Sequence, residues 1–95
     1  MSGRPPLLDD AVVDAALGDL TWRRNGNRLA KTVKRADFAG AMEFVNAVAG
    51  LAEDADHHPD IHVSWNTVTL ELWTHVSGGI TQADLDLAAR IDELG

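Results

Sequence analysis

Residues 57–75 read HHPDIHVSWNTVTLELWTH, and the order of the whole chain can be built outward from them. Pro59 disfavours the helical region at His58 and lacks a backbone donor, so any helix before it must finish near Asp56. Beyond it Ile61, Val63 and Trp65 alternate with polar residues. From Thr67 to His75 the alternation is cleaner, with Val68, Leu70 and Leu72 on one face and Thr67, Thr69, Glu71, Trp73 and His75 on the other. A period of two marks half-buried strands, so two strands joined near Asn66 are expected here.

Upstream, Asp37 is a helix cap, followed by Phe38, Ala41, Met42, Val45, Val48, Ala49 and Ala52 at helical spacing. Phe44, Ala47 and Leu51 form a second apolar stripe, so this helix is expected to be buried on two sides. One stripe suits the domain's own sheet and the Ala-rich remainder suits a second subunit, although a deep intradomain helix gives the same pattern. Earlier still, Leu20 and Trp22 lead to Asn25-Gly26, which favours the φ > 0 geometry of a tight hairpin, and residues 29–34 continue as a second strand. Before that, Asp9 caps a helix carrying Val12, Val13, Ala16 and Leu17, which stops at Gly18.

Downstream, Ser77-Gly78-Gly79 breaks the strand, and Thr81 with Asp84 has capping-box spacing ahead of Leu85, Ala88, Ile91 and Leu94. The expected order is α-β-β-α-β-β-α: an α+β fold whose four-stranded antiparallel sheet has three helices packed on one face. One domain over residues 1–95 is expected, with a flexible start at residues 1–6.

A chain of 95 residues, 45% apolar, has room for one core and excludes a large composite enzyme. Eight Lys plus Arg against fifteen Asp plus Glu give a net charge of -7, which disfavours nucleic acid and anionic membranes as partners. There is no cysteine for a disulfide or thiolate metal site, and nothing in the first thirty residues joins a basic start to the unbroken apolar stretch that an export signal needs, so none is expected. The longest apolar run, residues 47–52, is far short of the roughly 20 residues that span a bilayer. A cytoplasmic protein is expected. A domain this small buries only about 60–65% of its unfolded surface, which favours self-association.

All four histidines, His57, His58, His62 and His75, fall within nineteen residues of one another. Imidazole both gives and takes protons near neutral pH, so the group suits general acid and base work. Metal binding is the rival: Glu53 and His57 are four apart, but the second histidine of a helical zinc pair is missing, and adjacent His57 and His58 diverge in regular structure. Ser64 and Ser77 lie in no nucleophile-elbow context, and Ser77-Gly78-Gly79 lacks the lysine of a phosphate loop. Each residue also has a plainer role: Glu53 as a solvated charge, Asp84 as a cap, Trp65 as core and His75 as a surface histidine. Taken singly, none supports a function.

Together, the run Glu53-Asp54-Ala55-Asp56-His57-His58-Pro59 with Trp65, His75 and Asp84 at their spacings resembles the signature of the pterin-4a-carbinolamine dehydratases. Trp22, Asp37-Phe38, Thr74-His75 and Gly79 extend the resemblance over most of the chain. It implies an enzyme that converts 4a-hydroxytetrahydropterin to quinonoid dihydropterin and water in tetrahydrobiopterin recycling, without metal or organic cofactor, downstream of an aromatic amino acid hydroxylase. It implies His57 and His75 as the acid and base pair and His58 as the residue that positions the pterin. Glu53 and Asp84 would orient imidazoles, Pro59 and Asp60 would belong to the binding site, and Trp65 would be one wall. A homodimer or homotetramer is implied too, formed by extending the sheet and packing the long helices. The same resemblance allows a second class, a non-catalytic module that binds or assembles other proteins. Two positions depart from the pattern: Ile61, where relatives often carry Trp, and Trp73, whose large ring shares a strand face with His75.

Overall fold

The computed structural model describes residues 4–94. Its order is α1 (Asp10–Leu17), β1 (Arg23–Asn25), β2 (Arg28–Lys34), α2 (Phe38–Ala55), β3 (Asp60–Ser64), β4 (Thr67–Leu72), a 3₁₀ turn (His75–Ser77) and α3 (Gln82–Asp92). The expected α+β order is found, with a four-stranded antiparallel sheet arranged β1-β2-β4-β3. Asn25 pairs with Arg28 across a two-residue turn in which Gly26 takes φ 62°, the conformation a residue without Cβ adopts without strain.

Alternation along β4 positions everything else. Val68, Leu70 and Leu72 are fully buried and meet Val13 of α1, Phe44 and Val48 of α2, and Leu85, Ala88 and Ile91 of α3 in one core. Thr67, Thr69 and Glu71 face the other way. Two polar ties lock the first hairpin to α3. Trp22 is buried and its Nε1 donates to the Ala88 carbonyl at 3.2 Å, as a buried indole requires. Lys31 Nζ donates to Asp92 Oδ1 at 2.6 Å, and Asp92 also accepts the Thr21 amide and hydroxyl.

The Asp37 carboxylate accepts the Gly40 amide at 2.8 Å and so starts α2, which ends where Asp56 turns left-handed at φ 50°. Of the two sides of α2 expected to be buried, the chain itself covers one. Ala41, Phe44, Val48 and Ala52 are buried and Met42, Val45 and Leu51 half-buried, but Phe38, Ala47 and Ala49 are exposed. The helix lies over a single layer, and a cylinder on one layer covers one face only.

Three further expectations change. The strand read as running to His75 stops at Leu72, because Thr74 bridges to Gly79 and the chain curls into the 3₁₀ turn between them. The start is anchored rather than loose where it is described: the Pro5 carbonyl accepts the Ser77 hydroxyl at 2.6 Å and the Leu8 amide donates to the Ile80 carbonyl at 3.0 Å. Residues 1–3 of that expected flexible stretch lie outside the described residues. Trp65 is neither strand nor core. It occupies the β3–β4 turn at φ 50°, 65% exposed, because buried Asn66 fixes the turn by exchanging hydrogen bonds with the Arg35 backbone.

Candidate active site

The left-handed cap at Asp56 decides where the first two histidines go. The amides of Asp56 and His57 fold back onto the carbonyls of the last turn of α2, and Pro59 then forces the chain into β3. Adjacent His57 and His58 therefore part company. His57 turns inward, its side chain 17% exposed, with Nε2 2.5 Å from Asp84 Oδ1. His58 stays outside, 57% exposed, with Nε2 2.5 Å from Glu53 Oε2.

Asp84 is fully buried, and its two oxygens have separate duties. Oδ2 accepts the Thr81 amide at 2.8 Å and the Thr74 hydroxyl at 2.9 Å, and the Thr74 and Thr81 hydroxyls are themselves 2.8 Å apart. Oδ1 is left for His57. The helix cap that spacing offered for Asp84 and the imidazole partner that the resemblance implied each take one oxygen. A buried carboxylate is tolerable only with donors on its lone pairs, and this one has three. Because an ionised carboxylate accepts and never donates, His57 Nε2 must carry hydrogen, and the neutral ring holds its lone pair at Nδ1.

Thr74 couples this buried unit to the third histidine. Its amide donates to the Gly79 carbonyl at 2.8 Å, and Gly78 takes φ 74° to close the turn. His75 opens that turn on the protein surface, its ring stacked on Trp73 with centroids 4.0 Å apart and planes at 26°. Among the described residues its ring makes no hydrogen bond.

Residues 56–60 and 73–76 enclose a cleft of about 400 Å³, within the range of small-molecule sites. His57, His58, Pro59, Asp60 and His75, all singled out from sequence, line it together. Glu53 and Asp84 stand behind His58 and His57 respectively. Trp65 is not a wall: it sits in the β3–β4 turn, while the cleft lies beyond the Asp60 end of that hairpin. His62 pairs with Thr69 on the sheet and stays outside the cleft. Asp56, Trp73, Thr74 and Val76 also line it without a site role from the sequence, and the signal for Trp73 was its shared place with His75 in the alternating pattern. Among the described residues, no three His, Cys, Asp or Glu side chains are placed to hold one ion. No helix among them is long and apolar enough to cross a membrane.

Comparison with known proteins bears on what such a cleft is for. Residues 6–94 match the family model for pterin 4 alpha carbinolamine dehydratase. A protein of Roseiflexus castenholzii is 54% identical over 89 residues, 93% of this chain and 96% of its own length. One of Nocardia farcinica is 48% identical over 89 residues, 93% and 94% of the two chains. Both carry names that assign them provisionally as pterin-4-alpha-carbinolamine dehydratases. The crystal structure of a transcriptional coactivator/pterin dehydratase from Brucella melitensis superposes with a TM-score of 0.88 at 28% identity, over 94% of this chain and 98% of that one. A pterin dehydratase-like protein identified as a RuBisCO assembly factor in the alpha-carboxysome superposes with a TM-score of 0.66 at 30% identity, over 78% and 88%. By sequence over nearly its whole length and by fold, the chain belongs to the pterin-4-alpha-carbinolamine dehydratase family.

Proposed function

We propose that the protein dehydrates 4a-hydroxytetrahydropterin to quinonoid dihydropterin and water, by histidine general acid and base catalysis and without metal or organic cofactor. The observation that carries this is the meeting of His57 and His75, from segments eighteen residues apart, in one cleft, with the Asp84 hydrogen bond leaving the His57 Nδ1 lone pair free. In the reaction the C4a–O bond breaks with its electron pair and the oxygen takes a proton, leaving as water. The N5–H bond gives up its proton, and its electrons form the N5=C4a double bond. His57, neutral with a lone pair at Nδ1, takes the N5 proton, and His75, as imidazolium, supplies the proton to oxygen. For the opposite C4a stereoisomer the two exchange parts. His58, oriented by Glu53, positions the pterin, with Pro59 and Asp60 completing that side of the cleft.

Recycling of tetrahydropterin follows, with an aromatic amino acid hydroxylase as the source of substrate, in the cytoplasm. A homodimer or homotetramer fits the exposed Ala47, Ala49 and Gly50 of α2 and the free edge of β3. The test is the absorbance decay of freshly generated 4a-hydroxytetrahydropterin with and without protein. His57→Ala and His75→Ala should each cost roughly 10²–10⁴ in turnover, the range for a lost acid or base, while His58→Ala mainly raises KM. Wild-type rates in all three refute the site. Absence of acceleration by folded wild type favours the second reading, an assembly or binding module, for which the RuBisCO assembly factor of similar fold is the precedent.

A further inference from the structure

We infer that Trp73 is the positioning residue for His75, fixing the plane of that imidazole as carboxylates fix the other two, and that this leaves both nitrogens of His75 free for proton exchange. The inference rests on the dehydratase activity proposed above. His57 is oriented by Asp84 and His58 by Glu53, each through Nε2. His75 has no such partner among the described residues, is exposed, and begins a 3₁₀ element of three residues, so without another constraint its ring would sample several rotamers.

The constraint is the indole two residues earlier. Trp73 and His75 both lie beyond the end of β4, and their rings stack at 4.0 Å and 26°. The indole is itself held. Its Nε1 donates to Asp60 Oδ2 at 3.0 Å, and the Arg28 guanidinium lies 4.3 Å from its ring centroid. Arg28 is anchored in turn by Glu71 at 2.9 Å. Trp73 is thus a fixed plane on the cleft wall, tied to β2, β3 and β4, against which a mobile imidazole settles.

A stack and a hydrogen bond orient a ring with different chemical consequences. The Asp84 bond occupies one nitrogen of His57 and selects one tautomer. The Trp73 stack touches only the π face of His75, so Nδ1 and Nε2 both stay open. One nitrogen delivers its proton to the leaving hydroxyl and is then reprotonated from solvent, while the other keeps its hydrogen throughout, which restores the imidazolium for the next turnover without a change of rotamer. For the stereoisomer in which His57 is the base, His75 is the acid reloaded from solvent.

Two variants test this. Trp73→Leu keeps bulk on the strand and removes the stacking plane; Trp73→Phe keeps a plane and loses the Asp60 bond. Circular dichroism first establishes that both are folded. In NMR spectra the His75 Hε1 and Hδ2 resonances, displaced by the indole ring current in wild type, should return towards those of a free histidine in Trp73→Leu and stay displaced in Trp73→Phe. In the dehydration assay kcat should fall roughly 10- to 100-fold in Trp73→Leu with KM little changed, the cost of a misplaced catalytic group, and recover in Trp73→Phe. Unmoved His75 resonances in Trp73→Leu overturn the stack. Moved resonances with wild-type kcat overturn the positioning role. Wild type that fails to accelerate dehydration overturns the activity itself and the catalytic half of the inference with it, while the resonances still decide the orientation.

Discussion

Asp84→Asn should separate the structural from the chemical duty of the buried carboxylate. The substitution preserves size and removes charge. In the pocket the Asn carbonyl must accept the Thr81 amide and the Thr74 hydroxyl, since an amide NH₂ there would face the Thr81 donor. The NH₂ group is left against His57 Nε2, where Asp84 Oδ1 now sits. Two donors cannot face each other, so the neutral ring must move its hydrogen from Nε2 to Nδ1. The ring nitrogen left free by the Asp84 contact changes from acceptor to donor. Losing a charge-assisted bond costs about 2 kcal/mol, and at about 4–8 °C per kcal/mol for a domain of this size Tm should fall by roughly 8–16 °C with the fold kept. Turnover should fall on the order of 10²–10⁴ through loss of the base. Thermal denaturation followed by circular dichroism gives the first quantity, and absorbance decay of the carbinolamine at a temperature well below the new Tm gives the second. Long-range ¹⁵N–¹H correlation spectra of the His57 ring report the tautomer directly. A folded Asp84→Asn protein that turns over at the wild-type rate, or one whose His57 keeps hydrogen on Nε2, refutes the reasoning.

Three other outcomes follow from separate parts of the molecule. Gly26 and Gly78 both hold positive φ, so Gly26→Ala and Gly78→Ala should each cost about 1 kcal/mol; only Gly78→Ala, in the turn that carries His75, should lower kcat, and equal activity losses in both would break the link between that turn and catalysis. At Asp92 burial pushes the carboxyl upward, but the Lys31 hydrogen bond and the Thr21 amide and hydroxyl outweigh it and hold the group below its usual range. A lowered carboxyl contributes stability that is present above its unfolded pKa of about 4 and lost as pH falls through the folded value. Lys31→Met should therefore be less stable by about 1–3 kcal/mol at pH 7, with the gap narrowing below about pH 4; urea denaturation with a gap constant from pH 7 to 3 would contradict it. Light scattering at micromolar concentration should give a dimer or tetramer mass, and a monomer mass would show that the exposed face of α2 and the edge of β3 stay open to solvent.

How much of this was legible in the sequence depends on the range of the forces involved. Element order was, because it rests on local chemistry: the period-two alternation of Val68, Leu70 and Leu72, the cap at Asp37, the hairpin turn at Gly26 and the stop imposed by Pro59 act within a few residues of themselves. The grouping of His57, His58 and His75 was legible as a motif, since the fold places both ends of the β3–β4 hairpin at one end of α2. What sequence left open were choices between partners distant along the chain. Whether Asp84 caps α3 or serves an imidazole has no local answer; burial among Thr74, Thr81 and His57 gives it both duties. Trp65 continues an alternating strand pattern, yet long-range bonds from Asn66 to Arg35 put the turn there and turn its ring to solvent. The apolar surplus of α2 had two possible destinations, and only the single layer beneath the helix showed which residues the chain keeps for itself. Trp73 looked like a departure from a pattern until the sheet brought Arg28, Asp60 and His75 around it. Local propensity and periodicity specify which elements form; the partner a buried or stacked side chain takes is fixed only when packing brings distant groups within a few ångströms and removes the water that would otherwise serve each of them.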